Sequence, residues 1–345
     1  MVLFNHPEFD GHEQVVFSYD PISGLKSIIA IHNTNLGPAL GGCRFWNYAS
    51  DEDALTDVLR LSKGMSYKSA MAGLPLGGGK AVILGNPSLD KTPEKLMAFG
   101  RHVDQLNGRY ITGEDVGTLP QDMVVVSTQT KYVTGIPSSK IKEECSYVTA
   151  LGVFKGIEAS ALHKFGKSSL AGVKVSVQGL GQVGGWLVQL LHESGAVIYA
   201  TDVNQDRLGK LQEKYRFHHV DLEDIYTLDV DVFAPCALGG VLNERTIPKL
   251  QCKIVAGCAN NQLLSPSDAT LLMERDILYA PDYVINAGGL IHSYYELTGY
   301  DFEVVHNKLN EIPKTLRNVF KESEKKHQST QEISDRMAVV RMSSR

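Results

Sequence analysis

Two lysines and one aspartate, each in a glycine-containing segment, are the side chains best placed to do chemistry. They are Lys68 in KGMSYK (63–68), Lys80 in GGGK (77–80) and Asp115 in GEDVG (113–117). A lysine serves as a general base near neutral pH only if its pKa falls to about 7–8 from a reference near 10.4. Burial or a second nearby ammonium does this. Lys68 and Lys80, twelve residues apart, would act so on one another in a shared cleft, with Asp115 moving protons beside Lys80. Gly77, Gly78 and Gly79 suggest backbone approached closely by a ligand, with the amine aimed at it. GGGK is not a phosphate loop, because that motif needs Gly at 74 and Ser or Thr at 81, where this chain has Leu74 and Ala81. Solvated lysines and a turn aspartate are the plainer readings and stay open on spacing alone.

The second chemical signal is Gly179-Leu180-Gly181-Gln182-Val183-Gly184, which follows the apolar stretch Val173–Val177 and opens a helical pattern. In that context Gly179 permits a tight turn, Gly181 lets backbone reach a pyrophosphate, and Gly184 lets helix and strand pack. The phosphates would lie on the amide-rich helix start at Gln182 and Val183. Asp202, with Val203 after it, ends the next strand 23 residues beyond Gly179. It would accept both ribose hydroxyls of an adenosine and repel a 2′-phosphate, which favours NAD over NADP. The plain alternative is an ordinary βα turn with a capping aspartate. Three further segments, at Cys236-Ala237-Leu238, Ala256–Asn261 and Asn286–Gly289, follow strand-like runs or open a helix. They suit the nicotinamide half, since ligands of doubly wound sheets bind at strand carboxyl ends.

The elements that must hold these residues fall into two regimes divided near residue 146. In the first, Ser27–Ile31 and Ala81–Leu84 read as strands, Ser50 caps a helix that ends before Lys68, and Thr92-Pro93 opens another helix. Arg109–Thr112 reads as a further strand ending at Gly113. The second regime alternates strand and helix: Val173–Val177, Val197–Ala200, Val230–Ala234, Lys253–Ala256 and Ile277–Ala280 are strands with helical patterns between them. That rhythm implies a mainly parallel, doubly wound α/β sheet. The charged tail from Lys321 reads as helix, and His218-His219 as a solvated pair in a loop.

Composition narrows the class. With 345 residues, 43% apolar and 21% charged, the chain has room for two domains and is not a disordered chain. A net charge of −5 argues against a nucleic-acid partner, and no apolar run approaches the roughly 18–20 residues of a membrane helix. Five scattered cysteines without a CxxC pair suggest reduced thiols in a cytoplasm. The start carries no secretory pattern, and the histidines and cysteines have no zinc spacing, so no metal is expected.

Taken together, LGPALGG (36–42), KGMSYK (63–68), GGGK (77–80), ITGEDVG (111–117), GLGQVG (179–184), APCALGG (234–240), ANNQL (259–263) and APDYVINAGG (280–289) resemble the glutamate/leucine/phenylalanine/valine dehydrogenases. The leucine and phenylalanine branch is the nearest. The resemblance implies an N-terminal α/β substrate-binding and oligomerisation domain (1–145) and a Rossmann NAD-binding domain (146–325); whether the helical tail (326–345) packs on the first domain stays open on sequence alone. It implies that Lys68 binds the substrate carboxylate, Lys80 is the base that activates water, and Asp115 assists proton transfer. Leu40, Gly113, Asn261, Leu290 and Ser293 would meet the substrate. Thr149, Val203, Cys236, Ala237, Leu238, Ala256, Asn260 and Asn286 would join the glycine turn and Asp202 around NAD.

The reaction so implied is the reversible oxidative deamination of an apolar L-amino acid to its 2-oxo acid and ammonium, by a homo-oligomer of two to eight chains. Leucine enzymes usually carry Ala and Val where this chain has Gly113 and Leu290; phenylalanine and tryptophan enzymes usually carry Gly and Leu. An aromatic-specific enzyme, an enzyme devoted to synthesis and a catalytically silent NAD-binding sensor of the same fold are the rivals; the silent sensor would be expected to lack Lys68, Lys80 or Asp115. The segment Ile141–Tyr147 (IKEECSY) departs from relatives that are Gly/Pro/Ser-rich there.

Overall fold

The computed structural model describes residues 3–139, 141 and 143–343. Lys142 and the last two residues of the tail lie outside the described residues. The chain divides into two compact units. Unit 1 comprises Met1–Lys142, Glu296–Gly299 and Ala338–Arg345; unit 2 comprises Glu143–Tyr295 and Tyr300–Met337.

Unit 1 runs β1 (Gln14–Asp20), β2 (Leu25–Asn33), β3 (Ala39–Leu40), β4 (Cys43–Trp46), α1 (Asp51–Ala72), β5 (Gly77–Leu84), α2 (Pro93–Gln105), β6 (Tyr110–Ile111) and α3 (Pro120–Ser127). The hairpin partner β1 lies antiparallel to β2, and β2 antiparallel to β5. On the other side of β5, β3 pairs with Gly77-Gly78 and β4 with Ala81–Leu84, both parallel. Period-2 alternation sorts β5 into two faces. Ala81 and Ile83 enter the core with Phe99, Val103 and Tyr110, while Val82 faces Ala54, Leu55, Val58 and Leu59 of α1. Lys80 therefore points to the α1 side.

Both helix starts read from sequence form with their caps: the Ser50 hydroxyl accepts the Asp53 N–H, and Thr92 accepts that of Lys95. Two expectations are corrected. The helix begun at Ser50 does not stop before Lys68; it runs to Ala72 and ends at Gly73, whose left-handed φ of 62° caps it. The three glycines of GGGK are strand residues, not a loop. At Gly78 an added Cβ would lie 2.0 Å from the Ser66 amide nitrogen, and at Gly79 2.8 Å from the Tyr110 ring. Protein backbone and a ring crowd them, so packing alone requires the lack of side chains there.

The apolar face of α1 continues as buried Ser62, Ser66 and Ser69, spaced for one helix face. His12 Nε2 meets Ser62 Oγ at 3.1 Å, His32 Nδ1 meets Ser66 Oγ at 2.8 Å, and Ser69 donates to the Gly77 carbonyl at 3.0 Å. Burial, then the neighbouring His12, lowers His32 to about 4, with Asp10 opposing and Lys63 adding to the shift. The unfolded chain takes up this proton near pH 6.5 and the folded chain only near 4. Stability is thus full above pH 6.5 and drains as pH falls toward 4, by about 3 kcal/mol in total. Urea unfolding between pH 7 and 4.5 should show this slope, and His32→Gln should flatten it.

Unit 2 runs α4 (Cys145–Phe165), β7 (Lys174–Gln178), α5 (Gln182–Glu193), β8 (Val197–Thr201), α6 (Gln205–Gln212), β9 (His218–His219), β10 (Val232–Pro235), β11 (Ile254–Val255), α7 (Ser267–Glu274), β12 (Leu278–Tyr279), α8 (Asp282–Ile285), α9 (Gly288–Thr298), α10 (Phe302–Leu309), α11 (Glu311–Lys326) and α12 (Thr330–Ser343). The last residues of α9 and α12 belong to unit 1. The expected single tail helix is two, broken at His327 with φ 51°. His218-His219 is exposed as expected, but forms a short edge strand and not a loop.

Among the described residues the unit 2 strands form one parallel sheet in the order β12-β11-β10-β7-β8-β9. Counting from β7, this is the 3-2-1-4-5-6 order of a Rossmann fold, whose strand order reverses between β7 and β10. Ligands of such sheets bind at that reversal, where the turn after β7 and the loop after β10 both emerge.

Candidate active site

In unit 1 the core of the site is an ion pair. Lys80 Nζ on β5 lies 2.5 Å from Asp115 Oδ2, and Lys80 is buried. The loop carrying Asp115 is pinned to β4: Thr118 Oγ1 accepts the Asp115 N–H at 2.8 Å and donates to the Cys43 carbonyl at 2.9 Å. Burial pushes the Asp115 carboxyl up, but Lys80 and then Arg44 outweigh it and hold it below the usual carboxylate range. The observed partner of Lys80 is thus a carboxylate, Asp115.

Lys68 stands on α1, one turn after Met65, whose side chain an added Cβ at Gly41 would meet at 3.3 Å. The close contact of Gly78 with Ser66 sets this stretch of α1 against β5, two residues before Lys68 on one element and two before Lys80 on the other. Leu40 is buried in β3, and Gly113 is buried just beyond β6. A Cβ at Gly113 would come 3.1 Å from Thr134 Cγ2; the Thr134 hydroxyl donates to Glu296 at 2.7 Å.

In unit 2 the glycine turn follows β7 directly. Gly179 has φ 100°, which a residue with a side chain rarely adopts, and a Cβ at Gly184 would lie 2.1 Å from the Gly179 carbonyl oxygen. At Gly181, the N-cap of α5, an added Cβ would meet only open space, so the start of this helix at Gln182 and Val183 is approachable. Asp202 is buried at the end of β8. Its Oδ2 accepts the Leu180 N–H at 2.6 Å, its Oδ1 accepts the Asn204 N–H at 2.7 Å, and Arg207 stands 3.3 Å away. Val203 and Leu238, each 79% exposed, are apolar side chains left in solvent beside these turns.

Asn286 donates to Asn260 Oδ1 at 2.9 Å and to the Cys258 carbonyl at 3.2 Å, while its own buried Oδ1 accepts nothing. Thr149 Oγ1 donates to the Cys145 carbonyl and faces Gly289, where an added Cβ would approach to 3.0 Å. Ala237 and Asn261 are exposed, Cys236 is partly so, Ala256 is buried at the end of β11, and α9 carries Leu290 and Ser293. In the unusual segment after residue 140, Tyr147 packs edge-on against Trp186 at 5.2 Å, and the indole donates to Glu144. Among the described residues no three or more His, Cys, Asp or Glu side chains gather as metal ligands do, and no helix is long and apolar enough to cross a membrane.

Residues 12–132 match the dimerisation domain of Glu/Leu/Phe/Val dehydrogenases, and residues 201–344 match the Glutamate/Leucine/Phenylalanine/Valine dehydrogenase domain. The chain belongs to the glutamate/leucine/phenylalanine/valine dehydrogenase family. It is 48% identical over 343 residues to the leucine dehydrogenase of Geobacillus stearothermophilus, covering 99% of this chain and 94% of that one. It is 47% identical to the phenylalanine dehydrogenase of Caldalkalibacillus thermarum, over 97% and 92% of the two chains. The crystal structure of L-tryptophan dehydrogenase from Nostoc punctiforme superposes with a TM-score of 0.85 at 46% identity, covering 96% of each chain. This dehydrogenase is thus an amino acid dehydrogenase of the leucine/phenylalanine branch, an enzyme of a pyridine-nucleotide-dependent family.

Two residues of this dehydrogenase escaped the sequence reading. Arg44 on β4 lies 3.4 Å from Asp115 Oδ2 and 2.8 Å from Asp57, which also accepts the Tyr48 hydroxyl at 2.6 Å. Glu114 is exposed, yet the protein packed around its carboxyl, then Glu296, then Asp115, raise its pKa. The signal for Glu114 lay in its place beside Asp115; nothing local to CRFW marks Arg44.

Proposed function

We propose that this dehydrogenase catalyses the NAD-dependent, reversible oxidative deamination of an apolar L-amino acid. The observation that carries this reading is the buried Lys80–Asp115 pair at 2.5 Å. Lys68 holds the substrate carboxylate and so orients the Cα. Bound pyridine nucleotide supplies the acceptor for the Cα hydride. Water then adds to the resulting imine: Lys80 hands its proton to Asp115 Oδ2, takes one from the attacking water, and the carbinolamine collapses to a 2-oxo acid and ammonium. Arg44 keeps Asp115 oriented and ionised between turnovers.

The unit 2 residues fit a dinucleotide. The amide-rich start of α5 suits the pyrophosphate, Asp202 the adenosine ribose, exposed Val203 and Leu238 an apolar ring face, and the orphaned Oδ1 of Asn286 an amide N–H. Gln182, Val183, Cys236, Ala237, Ala256, Asn260 and Thr149 complete this side, and Asn261 and Ser293 meet the substrate. Assembly into a homo-oligomer is supported by Phe17 and Tyr19, 59% and 63% exposed on edge strand β1. The five free thiols support a reducing cytoplasm.

Leu40, Gly113 and Leu290 carry no charge, which supports an apolar side chain on the substrate. Gly113 and Leu290, the pair that phenylalanine and tryptophan enzymes usually carry, favour a second reading, an aromatic-specific enzyme. NADH formation at alkaline pH with L-leucine, L-valine, L-phenylalanine and L-tryptophan side by side tests both; silence with all four removes the proposal. Gly113→Ala should lower the ratio of kcat/KM for phenylalanine over leucine by about 10–100-fold, since one methyl group is worth roughly 1–3 kcal/mol of discrimination.

A further inference from the structure

Two thiols stand together at the mouth of the unit 2 sheet. Strands β10 and β11 pair in parallel with Val232 opposite Ile254 and Phe233 opposite Val255, a register that sets Cys236 opposite Cys258 just past the strand ends. The Cys258 thiol lies 3.9 Å from the Cys236 carbonyl oxygen, and both cysteines are free and partly exposed. Neighbouring strands run about 4.8 Å apart, within the Cα separation of about 4.4–6.8 Å that a disulfide spans. The loop that begins at Cys236 is tightly built in: an added Cβ at Gly179 would touch Ala237 at 2.8 Å, and Gly240 donates to the Asn261 carbonyl at 2.8 Å.

We propose that Cys236 and Cys258 form a reversible thiol–disulfide site, oxidised by hydrogen peroxide, and that closing the bond weakens pyridine-nucleotide binding. The second half rests on the nucleotide-binding reading above. The Cys236 sulfur attacks one peroxide oxygen: an S–O bond forms, the O–O bond breaks and water leaves. The Cys258 sulfur then attacks the Cys236 sulfur: the S–S bond forms, the S–O bond breaks and a second water leaves. The two thiols lose two electrons and two protons, and the peroxide takes up both.

The thiol of Cys258 is pushed up by its hydrogen bond with Cys236 and by burial, so it is not the first nucleophile and gives up its proton to the departing hydroxyl as it attacks Cys236. The loop beside the glycine turn begins at Cys236, so an S–S bond that ties its first residue to the end of β11 limits its adjustment to a bound nucleotide.

The experiment treats the full chain with hydrogen peroxide, with and without saturating NAD. The reads are intact mass, a peptide map and NAD affinity before and after dithiothreitol. The expected result is loss of two hydrogens, a linked Cys236–Cys258 peptide, NAD affinity lowered about tenfold or more, and recovery on reduction. Bound NAD should slow the linkage. Cys258→Ser, compared with its own untreated activity, should neither link nor lose NAD affinity under peroxide. Absence of the linked peptide overturns the site, and unchanged NAD affinity of the linked protein overturns its effect. If untreated protein does not bind NAD at all, the nucleotide reading fails on its own, while the linked peptide still decides the thiol site.

Discussion

Replacing Lys80 with alanine should lower kcat by roughly 10²–10⁴-fold, the range a positioned general base contributes, while NAD affinity stays as it was. Asp115 makes the variant informative beyond its rate. Its carboxyl is pushed up by burial and held low by Lys80 first and Arg44 second. Without the Lys80 ammonium only Arg44, at 3.4 Å, opposes burial. The acid limb of kcat against pH should therefore move to higher pH in Lys80→Ala. Lys80→Arg separates base from counter-charge. Arginine remains protonated at all working pH values, so it keeps the Asp115 pair but takes no proton from water. If Lys80→Arg is as slow as Lys80→Ala, yet keeps the native acid limb, proton transfer is the role. A fully active Lys80→Arg would sink the base assignment, and an active Lys80→Ala would remove Lys80 from the mechanism.

The local chemistry of caps and turns was readable because each depends on a few adjacent residues. Ser50 with Asp53 and Thr92 with Pro93 announce their helices, and the glycine turn after β7 announces a parallel sheet whose strand order the structure supplies. Features that depend on distant neighbours were not readable. Gly77–Gly79 look like a loop to any local rule, yet they are the first three residues of β5. Glycine is required there because the backbone of α1 and the ring of Tyr110 take the space of a side chain. Lys68 lies inside the helix begun at Ser50, which runs on to Ala72. Ser66 and Ser69 are buried against β2 and β5, where a small hydroxyl both fits and bonds. Arg44 reaches Asp115 only once β4 has paired with β5, a contact across dozens of residues. The ion pair itself has the same character: each partner stood out by type, and only the sheet brings them to 2.5 Å.

Asp202→Asn should lower the preference for NAD over NADP by about 10²-fold or more, because two effects of similar size add. The buried carboxylate already accepts one backbone N–H on each oxygen, from Leu180 and Asn204, and retains lone pairs for the two ribose hydroxyls. An amide loses the charge that strengthens those bonds, at about 1.5–3 kcal/mol, which raises the KM for NAD. The same change frees Arg207, now neutralised 3.3 Å from Asp202, to meet a 2′-phosphate that the carboxylate would have repelled. The order of the two effects can be tested by adding Arg207→Ala to the Asp202→Asn chain. That double variant should keep the raised KM for NAD and lose the gained use of NADP. Its kcat at saturating NAD should match that of the parent, since the loops after β10 and β11, not Asp202, are assigned to the nicotinamide. A ratio unchanged by Asp202→Asn would detach Asp202 from cofactor choice and leave it as the buried acceptor that anchors the glycine turn.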